Sequence, residues 1–142
     1  MTQVKLVSSL EKCFLDSDLG ELTEYKADKI FKNQTFSFQV AFKADKYVKM
    51  YERCDMFVII ESAIAEHIRV DEVVNVPSEI PAVYTRDEGV DRVKAGLFPD
   101  LLREPKYIGM IRLASEQTKA VMVTLDSRAV PAGEYQIKAR LV

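Results

Sequence analysis

The sequence predicts an all-β chain: an antiparallel β-sandwich of about seven to eight strands, immunoglobulin-like or jelly-roll-like, with at most one short helix. Three observations carry this. Apolar residues recur with period two in several separate stretches. Turn-forming residues stand between those stretches. No long segment has the apolar spacing of a packed helix.

From the N-terminus, "VKLVSSL" reads as a first strand, and "DSDLGE" (Asp16–Glu21) as a polar, solvated loop. Asn33 precedes the clearest strand and suits a left-handed turn. In "TFSFQVAFK", Phe36, Phe38, Val40 and Phe42 point one way and Ser37, Gln39 and Ala41 the other, the pattern of a half-buried strand. "ADKYVKMYER" places Ala44, Tyr47, Val48 and Tyr51 at helical spacing, enough for one helical turn on a long hairpin. "MFVIIES" is an unbroken apolar run, which predicts a strand buried on both faces.

"HIRVDEVVNVP" alternates and then slips phase after Val70, as a bulge or bend would make it do. Pro77 and Pro81 make "PSEIPAVY" extended but not a central strand. "AGLFPDLLREP" reads as a loop, in which Pro99 keeps Phe98 out of the helical region and Asp100 caps its own backbone. "YIGMIRL" puts Tyr107, Ile111 and Leu113 on one side, with Gly109 between them. "AVMVTLD" alternates Val121, Val123 and Leu125 with Met122 and Thr124. Pro131 and Gly133 form a turn into a last strand, where Tyr135, Ile137, Ala139 and Leu141 oppose Gln136, Lys138 and Arg140.

The chain has 142 residues, 48% hydrophobic and 30% charged, with a formal net charge of -2. Residues 1–142 therefore suit a single domain. A domain of this size buries roughly 68–70% of its unfolded surface and needs no metal or disulfide. The near-neutral, interspersed charge gives no field to attract nucleic acid or an anionic membrane. Two cysteines, Cys13 and Cys54, fit reduced thiols. The N-terminus lacks the apolar run of a signal peptide, so a cytoplasmic location is expected over secretion.

Few residues invite chemistry. His67 is the sole histidine, and Cys13 and Cys54 stand at no metal-ligand spacing from it. "DSDLGE" fails the calcium-loop pattern, because Gly20 is at the fifth position and Ala27 at the twelfth. Asn33-Gln34-Thr35 is a formal glycosylation sequon, which reads better as a turn. Asp87, Glu88 and Asp91 with Asp100 are the nearest approach to paired carboxylates, but acid/base work needs a cleft that separates their pKa values. The expectation is no catalytic residue, no cofactor and no metal. Tyr47, Tyr51 and Tyr84 are the candidates for stacking on a sugar, in a chain without tryptophan.

Five segments, taken in order, carry a resemblance. They are "VKLVSSLEKCFLDSD", "QTFSFQVAFK", "IIESAIAEHIRVDEVVNVPSEIPA", "GLFPDLL" and "LDSRAVPAGEYQIKARL". Together they resemble the N-terminal β-sandwich domain of glycoside hydrolase family 123 and of the larger set of proteins sharing its catalytic domain. "GLFPDLL" is the most specific piece. It resembles that family's Gly-Leu-Tyr-Pro-Asp-Pro-Leu loop, with Phe98 in place of the tyrosine and Leu101 in place of the second proline.

The resemblance implies that chemistry lies in a following (β/α) barrel, where an Asp–Glu pair assists the acetamido group of an N-acetylgalactosaminide or related substrate. No residue of this chain matches that pair. The implied function is a non-catalytic accessory domain that supports the barrel or shapes its cleft. Its partner would be the C-terminal barrel of the same polypeptide. Leu97, Phe98, Pro99, Asp100 and Leu101 are then the expected domain interface or a tucked-in loop. The alternative is an independent carbohydrate-binding module using Tyr47, Tyr51 and Tyr84.

Overall fold

The computed structural model describes residues 3–25, 29–44, 54–81, 92–105 and 110–142. Eight strands lie among them: β1 (Gln3–Ser8), β2 (Thr35–Lys43), β3 (Cys54–Glu61), β4 (Ile68–Ser78), β5 (Gly96–Arg103), β6 (Met110–Leu113), β7 (Thr118–Asp126) and β8 (Lys138–Leu141). A five-stranded sheet runs β1-β2-β7-β4-β5, and a three-stranded sheet runs β6-β3-β8. All their pairings are antiparallel. Two short 3-10 turns, Ala65–His67 and Ser127–Ala129, are the only helical elements among the described residues. The predicted sandwich is the observed one.

Strand alternation builds the core between the sheets. Phe38, Val40 and Phe42 of β2 and Val121 and Val123 of β7 meet Met56 and Val58 of β3 and Ile111 of β6. Ile137, just before β8, and Ala139 and Leu141 on it pack partly buried against that core in the predicted phase, whereas Tyr135, predicted on the same side, is exposed and donates its hydroxyl to the Pro131 carbonyl at 2.9 Å.

The half-buried reading of β2 needs correction, because its second face is covered too. Between β1 and β2, the stretch from Cys13 to Leu22 lies against the back of the five-stranded sheet, and Glu24 and Tyr25 then pair with the edge strand β1. Cys13, Leu19 and Leu22 pack there on Val7, Ala41, Val73 and Ala120. Gln39 is buried beneath them, and its Nε2 donates to the carbonyls of Ser8 at 2.9 Å and Glu11 at 2.7 Å. "DSDLGE" is a loop as expected, yet Leu19 plugs into this second core instead of facing water. Asp18 Oδ1 accepts from the Gly20 N–H at 3.0 Å and so closes the local turn.

The same double burial explains the phase slip in β4. Asp71, Glu72 and Val73 are buried in succession. The two carboxylates are tolerated there because Arg69 Nε donates to Asp71 and Arg103 Nη2 to Glu72, each at 2.7 Å. A bulge does exist, four residues later. Val74 pairs with Leu101 and Asn75 with Pro99, so Asp100 is the extra residue and lies on β5. Pro77 falls within β4, but only where β5 is its sole strand neighbour, since the β7 pairing stops at Glu72.

"MFVIIES" departs in the opposite sense. Met56 and Val58 enter the core, but Phe57 and Ile59 face outward and are exposed. Asn33 adopts the expected left-handed conformation, with φ 65°. The Ala65–His67 turn sets His67 just before β4. The predicted helical turn over "ADKYVKMYER" lies, beyond its Ala44, outside the described residues.

Candidate functional site

The stretch that the sequence singles out is a strand, not a loop, and this is the principal correction. Gly96–Arg103 forms β5, hydrogen-bonded to β4 at the edge of the large sheet. Gly96 and Pro99 resemble turn residues, but an edge strand tolerates a proline at a bulge because the missing N–H costs little there. Asp100 does not cap its own backbone. Its Oδ1 pairs with the Lys12 ammonium, contributed by the segment that crosses the sheet.

The neighbouring side chains repeat that connection. Phe98 is buried and stands edge-on to Phe14, at 5.6 Å between centroids and 78° between planes. The Arg92 guanidinium lies 3.9 Å from the Phe14 ring centroid. Arg92 Nη2 also donates to Asp16 Oδ1 at 2.7 Å, which holds the Asp16 carboxyl below its ordinary pKa. Thus Phe98 and Asp100 fasten β5 to residues 12–16 and Pro99 between them is buried, while Leu97 and Leu101 remain 46% and 48% exposed.

Beside this clasp is an open depression of about 230 Å³, lined by Lys12, Phe14, Ser17, Asp18 and Leu22 among others. Among the described residues, no group of three or more His, Cys, Asp and Glu gathers to hold a metal ion. His67 Nε2 lies 3.4 Å from Glu66 Oε1. Cys13 is buried, which pushes its thiol up to about 12, with a smaller contribution from the Glu11 charge. Burial also lowers the pKa of the Lys119 amine, with Glu72 opposing and Arg103 and Arg112 reinforcing that shift. Tyr47, Tyr51, Tyr84, Asp87, Glu88 and Asp91 lie outside the described residues.

Sequence reasoning missed one surface. Phe57, Ile59 and Val142 project from the outer face of the three-stranded sheet. The unbroken apolar run in "MFVIIES" is the signal that pointed to it.

No protein-family profile and no curated protein matches the chain. Solved structures do. One is a family 123 glycoside hydrolase from Clostridium perfringens, whose structure was analysed for the details of glycolipid glycan hydrolysis. It superimposes with a TM-score of 0.65 at 9% identity, over 99% of this chain and 25% of that one. At this identity the likeness establishes the fold. The chain spans a quarter of the length of that hydrolase.

Proposed function

We propose that this chain is a non-catalytic accessory domain of a glycoside hydrolase, which supports the catalytic barrel and shapes the rim of its cleft. One observation carries the reading: the whole sandwich corresponds to a quarter of a hydrolase chain, which leaves three quarters of that protein for other parts. The ordered "GLFPDLL" strand fits the same role. Its Phe98 and Asp100 serve the domain's own packing, as a structural module requires.

A sugar titration of the 142-residue chain, with N-acetylhexosamines and a glycan array, tests this. The accessory reading predicts no saturable binding. Saturable binding that disappears in Tyr47→Ala, Tyr51→Ala or Tyr84→Ala would replace it with the carbohydrate-binding module.

A further inference from the structure

The five-stranded sheet is continuous over only part of its length. The β4–β7 pairing spans residues 68–72, although β4 runs on to Ser78 and β7 starts at Thr118. Beyond Glu72, the strand partner of β4 is β5 alone. At that end of β7, Thr118 bonds to the covering segment: its N–H donates to the Leu15 carbonyl at 2.9 Å and its hydroxyl to the Ser17 carbonyl at 2.7 Å. Residues 73–78 and 96–102 therefore leave the sheet as a two-stranded arm.

The arm stands outside the core between the sheets. From β4, Ile68 and Val70 pack on that core, and no arm residue joins them among the described residues. Its attachments run to the covering segment. Val73, at the arm's base, belongs to the second core with Cys13, Leu19 and Leu22. Further out, Phe98 stands edge-on to Phe14, and Asp100 pairs with Lys12. Lys12 and Asp100 are solvated, so the ring contact is the stronger hold. Glu72 is the last residue paired on both sides, to Val121 and to Arg103, and Arg103 Nη2 donates to its carboxylate at 2.7 Å.

Within the arm the pairing is imperfect. Pro99 has no N–H and Asp100 is bulged, so the ladder is interrupted. Asn75, opposite Pro99, buries an Oδ1 that accepts no hydrogen bond among the described residues. An unsatisfied buried acceptor works against the closed state, and opening lets water reach it.

We infer that the arm is a hinged element. It turns between Glu72 and Val73, leaves the sheet as one unit while β1, β2, β7 and the inter-sheet core stay folded, and is latched by the Phe14–Phe98 contact. Opening bares the face of Phe14 that Phe98 covers, beside the depression lined by Lys12, Ser17 and Leu22. That depression thus has two shapes, one for each state of the arm. Such a motion is independent of any hydrolase partner.

Native-state hydrogen exchange of the 142-residue chain, read by mass spectrometry at low urea, tests this. Residues 73–78 and 97–102 should exchange together, roughly tenfold or more faster than 36–42 and 119–125, with a weaker urea dependence. Val40→Ala, in the inter-sheet core, should speed exchange of 36–42 and 119–125 several-fold and leave the arm's rate unchanged, because the Val40 contacts persist when the arm is open. Phe14→Leu should speed the arm's exchange several-fold. One rate and one urea dependence for all four stretches, or a Val40→Ala effect shared equally by the arm, overturns the hinge. An arm rate untouched by Phe14→Leu overturns the latch.

Discussion

The ring of Phe98 meets Phe14 edge to face, 5.6 Å away, and this contact joins the edge of the large sheet to the segment that covers its back. Burial of an aromatic ring and the edge-on geometry act together here. Phe98→Ala should lower unfolding stability by about 3–5 kcal/mol, the usual range for an emptied aromatic site. Urea denaturation measures it. A loss under about 1 kcal/mol would mean that the site collapses or that the contact is not formed.

The Lys12–Asp100 pair crosses the same junction but is solvated, with side chains 41% and 43% exposed. Exposed pairs contribute little after screening and side-chain ordering. A double-mutant cycle with Lys12→Ala and Asp100→Ala should give a coupling below about 1 kcal/mol, falling further in high salt. A coupling that salt leaves unchanged would contradict this picture.

Asp126 caps the Ser127–Ala129 turn. Its carboxylate accepts from the Arg128 side chain at 2.5 to 3.0 Å and from the Arg128 backbone N–H at 3.1 Å. The Arg128 side chain is the larger cause of a pKa drawn from 3.8 to about 2. Because the folded value is depressed, the stabilisation is complete above the unfolded pKa and fades as pH falls from about 4 to about 2. Carboxyl NMR titration should find the low midpoint, and Arg128→Ala should return it toward 3.8. An unchanged midpoint in the variant would assign the shift to another group.

Burial keeps Cys13 protonated up to about pH 12. The thiolate is the reactive form, so alkylation at pH 8 should be slow and should accelerate on unfolding. The raised value also means that Cys13 stabilises the fold fully below the ordinary thiol pKa of 9.0, and that this contribution is lost as pH rises toward 12. Rapid alkylation of Cys13 in the native chain would show that residues 9–25 open readily.

Much of this fold is legible in the sequence where one strand face meets the inter-sheet core. Phe36 to Phe42, Val121 to Leu125 and Ile137 to Leu141 alternate cleanly, and the left-handed Asn33 follows from its turn chemistry. β5 is not legible, because Gly96 and Pro99 are turn formers and only pairing with β4 makes them extended. The covering segment is hidden for a different reason. Cys13, Phe14, Leu19 and Leu22 follow no period, so nothing local announces that they form a layer. In the candidate site, the apolar character of residues 97–101 is visible at once; which of them face inward depends on Phe14 and Lys12, more than eighty residues earlier.

The accessory role proposed for this domain requires that it support glycosidase chemistry without performing it. Turnover of a panel of aryl N-acetylhexosaminides, measured for the 142-residue chain beside the whole gene product, tests that most directly. Turnover by the whole product and none by the chain alone is the expected result. Hydrolysis by the isolated chain at a rate comparable to the whole product would contradict it.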